Sequence, residues 1–187
     1  MQDFTAQPSV TIKRDGLPSA PGAGHLFLRE EELRTAQDMM FFAMRDLTQA
    51  ADILLEELGF GRAHHRCLHW VARRPGLTVG ELLAILGITK QSLTRVLGPL
   101  IRDGYVAQQA GAQDRRQRLL TLTEKGATLE RKLFETQRER LVAAYREAGA
   151  PSVDGFKRVL RGLTRPDGRE YIDALERHTA KGPRVGP

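Results

Sequence analysis

A chain of 187 residues, 41% of them hydrophobic, is long enough for one domain with a real core, and its single cysteine, Cys67, excludes an intramolecular disulfide framework and suits a reducing cytoplasm. The net charge of +6 favours an anionic partner. No apolar run approaches the roughly 18 residues of a membrane span, and the N-terminus lacks a basic-then-apolar signal layout, so the expectation is a soluble cytoplasmic protein with no membrane partner.

Residues 1–28 carry Pro8, Pro18 and Pro21 among several glycines without sustained apolar periodicity, which predicts a flexible arm. From Glu30 to Leu58 apolar residues recur at three and four, among them Leu33, Ala36, Met40, Leu47, Ala51, Leu54 and Leu58, with Phe41, Phe42 and Met44 widening the stripe. That predicts a long helix whose apolar face needs more than one neighbour, ending near Gly59 and Gly61. A second helix is expected over Arg62–Arg74, stopped by Pro75 and Gly76.

Thr78-Val79-Gly80-Glu81 has the spacing of a capping box and starts a third helix with Leu82, Leu83, Ile85 and Leu86. Gly87-Ile88 breaks the pattern for a tight turn. Thr89 then caps a fourth helix to about Arg102, with Leu93, Val96, Leu97, Leu100 and Ile101 as its buried stripe. Lys90, Gln91, Ser92, Thr94 and Arg95 are left on or near the other face. Two helices joined by a short glycine turn, the second polar at its N-terminal end, form a helix-turn-helix whose second helix fits the major groove.

Tyr105–Gln109, a loop at Gly111 and Gln117–Leu122 read as strand, loop and strand, with Leu120 and Leu122 on one face. Thr123 caps a helix over about Glu124–Ala148, and a final helical portion, Val153–His178, is interrupted near Pro166-Asp167-Gly168. From Thr179 onward the tail is expected to fray. The charge follows this layout. Residues 61–126 hold eleven Lys or Arg against four Asp or Glu, a surplus of seven, so the remainder of the +6 chain carries −1. A basic middle third flanked by near-neutral scaffold fits a nucleic-acid-binding module.

LTVGELLAILGITKQSLTRVLGPLIRDGYV followed by DRRQRLLTLTEKG resembles the MarR family of winged-helix regulators over about residues 30–178. Asp114, Arg116, Leu122 and Thr123 stand at the spacing of that family's wing motif, and GRAHHRCLHWVARRPGLTV resembles a smaller PetP-like subgroup. Two positions depart from the pattern: Leu83 stands where many relatives have a small Ala, and Gln108 where a basic residue is frequent, which removes one phosphate contact.

The resemblance implies a mainly α fold with a small β-wing: a winged helix-turn-helix with long N- and C-terminal dimerisation helices. The expected divisions are the arm at 1–28, a dimerisation helix at 29–60, the DNA-binding lobe at 61–123, C-terminal dimerisation helices at 124–178 and the tail at 179–187. Two long helices with broad apolar faces exceed what one small lobe can cover, which points independently to a homodimer. Such a dimer reads an inverted repeat in double-stranded DNA and regulates transcription.

Within that reading Thr89, Lys90, Gln91, Ser92, Thr94 and Arg95 are the major-groove set. Gln suits adenine and Arg guanine, while the Lys90 ammonium suits phosphate. The family resemblance places Arg116 in the minor groove, with Asp114 holding the wing in shape by pairing with a base or amide, and Arg115 or Arg118 on phosphate. The bland alternatives are a solvated helix face and a polar hairpin tip.

His64, His65, His69 and Trp70 have three readings. They pack at a junction between helices; or His65, His69 and Trp70 line a pocket, walled by Met40, Phe41 and Met44, for a small aromatic or anionic effector such as relatives bind; or His65 and His69, four apart, share a metal with a third ligand from elsewhere. A metal-responsive regulator and a non-specific architectural DNA-binding protein are therefore the rival functions. No resident cofactor or metal is expected. No nucleophile–base pairing or phosphate loop appears, so no enzymatic activity is expected. Cys67, where an apolar residue is usual, reads as a buried inert thiol.

Overall fold

The computed structural model describes residues 29–111 and 114–180. They fall into two units, divided between Asp46 and Leu47. The arm expected over residues 1–28 lies outside the described residues. So do the wing tip at 112–113 and, of the expected tail, residues 181–187.

The first unit contains the beginning of α1 (Glu30–Glu56). Three glutamates occupy the first turn, where the positive end of the helix dipole favours them, and Arg34 pairs with Glu30 one turn away. Leu33, Met39, Met40, Phe41, Phe42 and Met44 are all exposed.

In the second unit, Ala51 and Leu55 bring the end of α1 into a core completed by α2 (Arg62–Arg73), α3 (Val79–Leu86), α4 (Lys90–Arg102) and α5 (Glu124–Ala148). α2 packs against α3, α4 and α5 through Cys67, Leu68 and Val71. Between α2 and α3 lies a strand the sequence reading did not anticipate, β1 (Leu77–Thr78). Two residues are too few to show an alternation, and Thr78 was already committed to capping α3. It does both, accepting a hydrogen bond from the Glu81 amide while its own amide donates to the Glu81 carboxylate.

β1 pairs with β3 (Arg118–Leu122), which pairs with β2 (Val106–Ala110), so the expected hairpin is one edge of a three-stranded antiparallel sheet ordered β1-β3-β2. In that register Leu77 and Gln108 flank Leu120, which is wholly buried, and Val106 faces Leu122. The sheet therefore seals the helix pair from one side. Gly87 ends α3 with φ +62 and donates to the Leu83 carbonyl, the left-handed conformation that makes the tight turn into α4.

α5 has the predicted bounds, but only Gly126, Leu129 and Leu133 of it are buried; Phe134 and Tyr145 stay exposed. The last helical portion is interrupted near Pro166-Asp167-Gly168 as expected, into α6 (Ala150–Leu163) and α7 (Pro166–Ala180) separated by Thr164-Arg165, and it begins at Ala150 rather than Val153. Pro166 opens α7 instead of interrupting it, because a first-turn residue has no helical amide bond to lose. Arg169 reaches back to the Gly162 and Thr164 carbonyls and closes the end of α6.

Candidate nucleic-acid interface

The candidate reading face begins at a cap. Thr89 accepts from the Ser92 amide and lies 3.0 Å from the Ser92 hydroxyl, while the Thr94 hydroxyl donates to the Lys90 carbonyl. Thr89, Ser92 and Thr94 thus use their hydroxyls first on the helix itself. Lys90, Gln91 and Arg95 are exposed and, among the described residues, make no side-chain hydrogen bond or ion pair. Leu93, Val96, Leu97 and Leu100 are buried on the opposite side of the same helix. The burial of one stripe fixes the direction of the other.

The wing is shaped by its aspartate. Asp114 Oδ1 accepts from the Arg116 amide at 2.9 Å and the Asp114 carbonyl accepts from Gln117, an Asx-type turn that uses an amide partner. Gly111 is needed beside it, since a Cβ there would lie 2.8 Å from the Asp114 carbonyl oxygen. Arg115, Arg116 and Arg118 are exposed, with no ion pair among the described residues. Other cations of this segment are already partnered: Arg74 with Glu81, Arg102 with Asp103, and Arg62 with Asp52. Arg66 and Arg73 of α2 are also exposed and have no ion pair among the described residues, so the open charges of this segment are those of α2, the α4 N-terminus and the wing.

The histidines do not converge on one point. His64 Nδ1 accepts the Gly61 amide at 3.1 Å and the ring stacks on Phe60, so it caps α2, a role its sequence position did not reveal. His65 is half-buried near Asp52, and His69 lies 3.7 Å from Glu130 of α5 and edge-on to Trp70. Burial lowers the pKa of all three, aided at His69 by His65 and Arg73, which favours the neutral imidazole. Among the described residues no three His, Cys, Asp or Glu side chains are placed to hold a metal ion.

Of the expected effector wall, Met40, Phe41 and Met44 are exposed on the first half of α1, whereas His65, His69 and Trp70 are half-buried on α2. An open groove of about 510 Å³ lies between α2, β3 and α5, lined in part by Val71, Pro75, Leu122, Glu130, Arg131 and Phe134. None of these is an expected effector-pocket residue from sequence, because the groove forms only when three distant segments meet.

Cys67 is fully buried, and burial pushes its thiol up to about 12. It is expected to resist a thiol-reactive disulfide reagent in the native protein and to react on unfolding, with peroxide leaving DNA binding unchanged. Stoichiometric labelling of the folded chain would contradict this. Among the described residues no helix is long and apolar enough to cross a membrane.

A capped helix-turn-helix, a three-stranded sheet and an arginine-bearing wing define a winged-helix DNA-binding protein, and a family model described as MarR family matches residues 58–117. The chain belongs to the MarR family of transcriptional regulators, which is not an enzyme family. It is 50% identical over 158 residues to the HTH-type transcriptional regulator PetP of Rhodobacter capsulatus, covering 84% of this chain and 95% of that protein. Among solved structures, Streptococcus pneumoniae FabT in complex with DNA aligns with TM-score 0.60 at 18% identity, over 76% of this chain and 99% of that one. A mutant MarR from E. coli complexed with operator DNA aligns with TM-score 0.56 at 20% identity, over 76% and 100%.

Proposed function

We propose that the protein acts in the cytoplasm as a homodimer on an inverted-repeat operator, with the N-terminal turns of α4 in successive major grooves and the wings against the flanking minor grooves. The observation that carries this reading is the placement of open donors: Lys90, Gln91, Arg95 and the wing arginines are exposed and unpartnered among the described residues at the start of a capped helix and on the wing, while Arg62, Arg74 and Arg102 are paired with carboxylates. Unpaired cations and planar donors on a rigid helix are what phosphate and base edges require. The DNA complexes of FabT and MarR support the same use of the fold.

Dimerisation is assigned to α1 and to α5–α7. Phe41 and Phe42 on α1, and Phe156, Val159, Leu160 and Leu163 on α6, are exposed apolar side chains of a kind that subunit contact buries. An effector is placed in the groove beside Glu130, which touches His69 of the expected set. It acts by binding one separation of the two reading helices better than another.

Light scattering and footprinting of the full chain test the reading together. The expected result is a dimer protecting two half-sites about 10 bp apart, centre to centre. Equal affinity for operator and random duplex at one salt concentration would favour an architectural role instead.

A further inference from the structure

We propose that Thr123, Lys125 and Gly126 form a rigid joint between α5 and the exit of the reading helix, and that this joint sets the half-site spacing the dimer accepts; the inference rests on the dimeric, operator-binding reading above. α4 ends in the turn Arg102-Asp103-Gly104-Tyr105, and three successive carbonyls of that turn are taken by the start of α5. Lys125 Nζ donates to the Asp103 carbonyl at 2.8 Å, the Thr123 hydroxyl donates to Gly104 at 2.7 Å, and the Thr123 amide donates to Tyr105 at 3.1 Å. The same ammonium sits 4.1 Å from the centre of the Tyr105 ring.

The Thr123 oxygen also accepts from the Gly126 amide, so one hydroxyl both holds the end of the α4 turn and caps α5. Gly126 lets the backbones approach: a Cβ there would fall 2.0 Å from the Tyr105 carbonyl oxygen. Tyr105 is itself anchored, buried and edge-on to Phe60.

This joint has a long arm. Beyond Leu133 no residue of α5 is buried, so its first turns belong to the DNA-binding lobe, whereas the rest projects from it. With the joint tight, the orientation of the projecting part dictates where the reading face points. With it loose, each lobe swivels, and operators of the wrong spacing lose less affinity.

Full-length protein is measured against duplexes whose half-site spacing varies in single base pairs, and against a duplex with one half-site. Lys125→Met keeps the stem over Tyr105 and removes the charged hydrogen bond. It is expected to lower the ratio of best-spaced to misspaced affinity by about threefold or more, with half-site affinity and salt slope unchanged. Lys125→Arg, which can still donate to the Asp103 carbonyl, is expected to retain the ratio. Should Lys125→Met fail to fold, Lys125→Gln serves the same comparison. An unchanged ratio in the tested variant overturns the joint alone, and uniform weakening with a shallower salt slope overturns it by making Lys125 a phosphate contact. A parent with no spacing preference removes the dimeric reading and the inference with it.

Discussion

Arg95→Ala is expected to weaken operator binding by about 1–3 kcal/mol and to relax the base preference at one position of each half-site. Arg95 lies one turn into α4, exposed, with no intramolecular partner among the described residues. Its guanidinium therefore enters the complex without first breaking an ion pair. A planar fork distinguishes guanine from the other bases, and losing it removes that discrimination along with the affinity. Lys90→Ala provides the contrast. The proposal assigns the Lys90 ammonium to phosphate, so its loss is expected to weaken all sequences alike and to reduce the slope of log K against log salt by about 1. Titrations of each variant against operator and single-base variants, over a range of salt, separate the two outcomes. If both variants bind as the parent does, α4 is not the reading helix.

The parts of this fold legible in the sequence are those whose signal is local. Thr78, Thr89 and Thr123 each cap the helix that follows, and Gly87 takes the left-handed conformation its place after Leu86 demanded. Caps and glycine turns are decided within four residues, so a single sequence carries them. β1 was missed because a two-residue strand is defined by its partner, and Leu77 is a strand residue only through Leu120, more than forty positions away. The break near Pro166 is legible because proline disfavours a helical residue before it, but that the helix resumes at Pro166 itself is not, since the sequence does not say on which side the next helix starts.

The same division runs through the site. That Gln91 and Arg95 share an exposed face followed from helical spacing. That Arg102 and Arg74 are neutralised, and hence removed from the field offered to DNA, depended on Asp103 and Glu81 adopting particular side-chain positions. His64 shows the limit most clearly: its Nδ1 is spent on the Gly61 amide, and nothing in the run Ala63-His64-His65 marks one histidine as a cap and the next as a packing residue.

Leu100→Ala is expected to destabilise the folded protein by about 2–5 kcal/mol, the range for emptying a fully buried leucine site. Leu100 has no exposed surface and lies in the core where α4 meets α2 and β2, and its carbonyl also accepts the Tyr105 amide that begins the turn. For a chain of this size the melting temperature should fall by roughly 5–15 °C. Thermal unfolding at a fixed protein concentration measures it, because a dimer melts in a concentration-dependent way. Base preference, by contrast, should survive. Leu93, Val96, Leu97 and Leu100 occupy one stripe of α4 and Lys90, Gln91 and Arg95 the other, so a cavity beneath the helix leaves the donor geometry above it in place once the protein is folded. Leu100→Ala should thus lower the temperature at which operator binding is lost while preserving the ratio of operator to single-base-variant affinity below it. Arg95→Ala should do the reverse, altering the ratio and leaving the melting temperature alone. A loss of preference in Leu100→Ala as large as in Arg95→Ala would mean that the two stripes are not mechanically separable, and that packing beneath α4 itself selects the bases read above it.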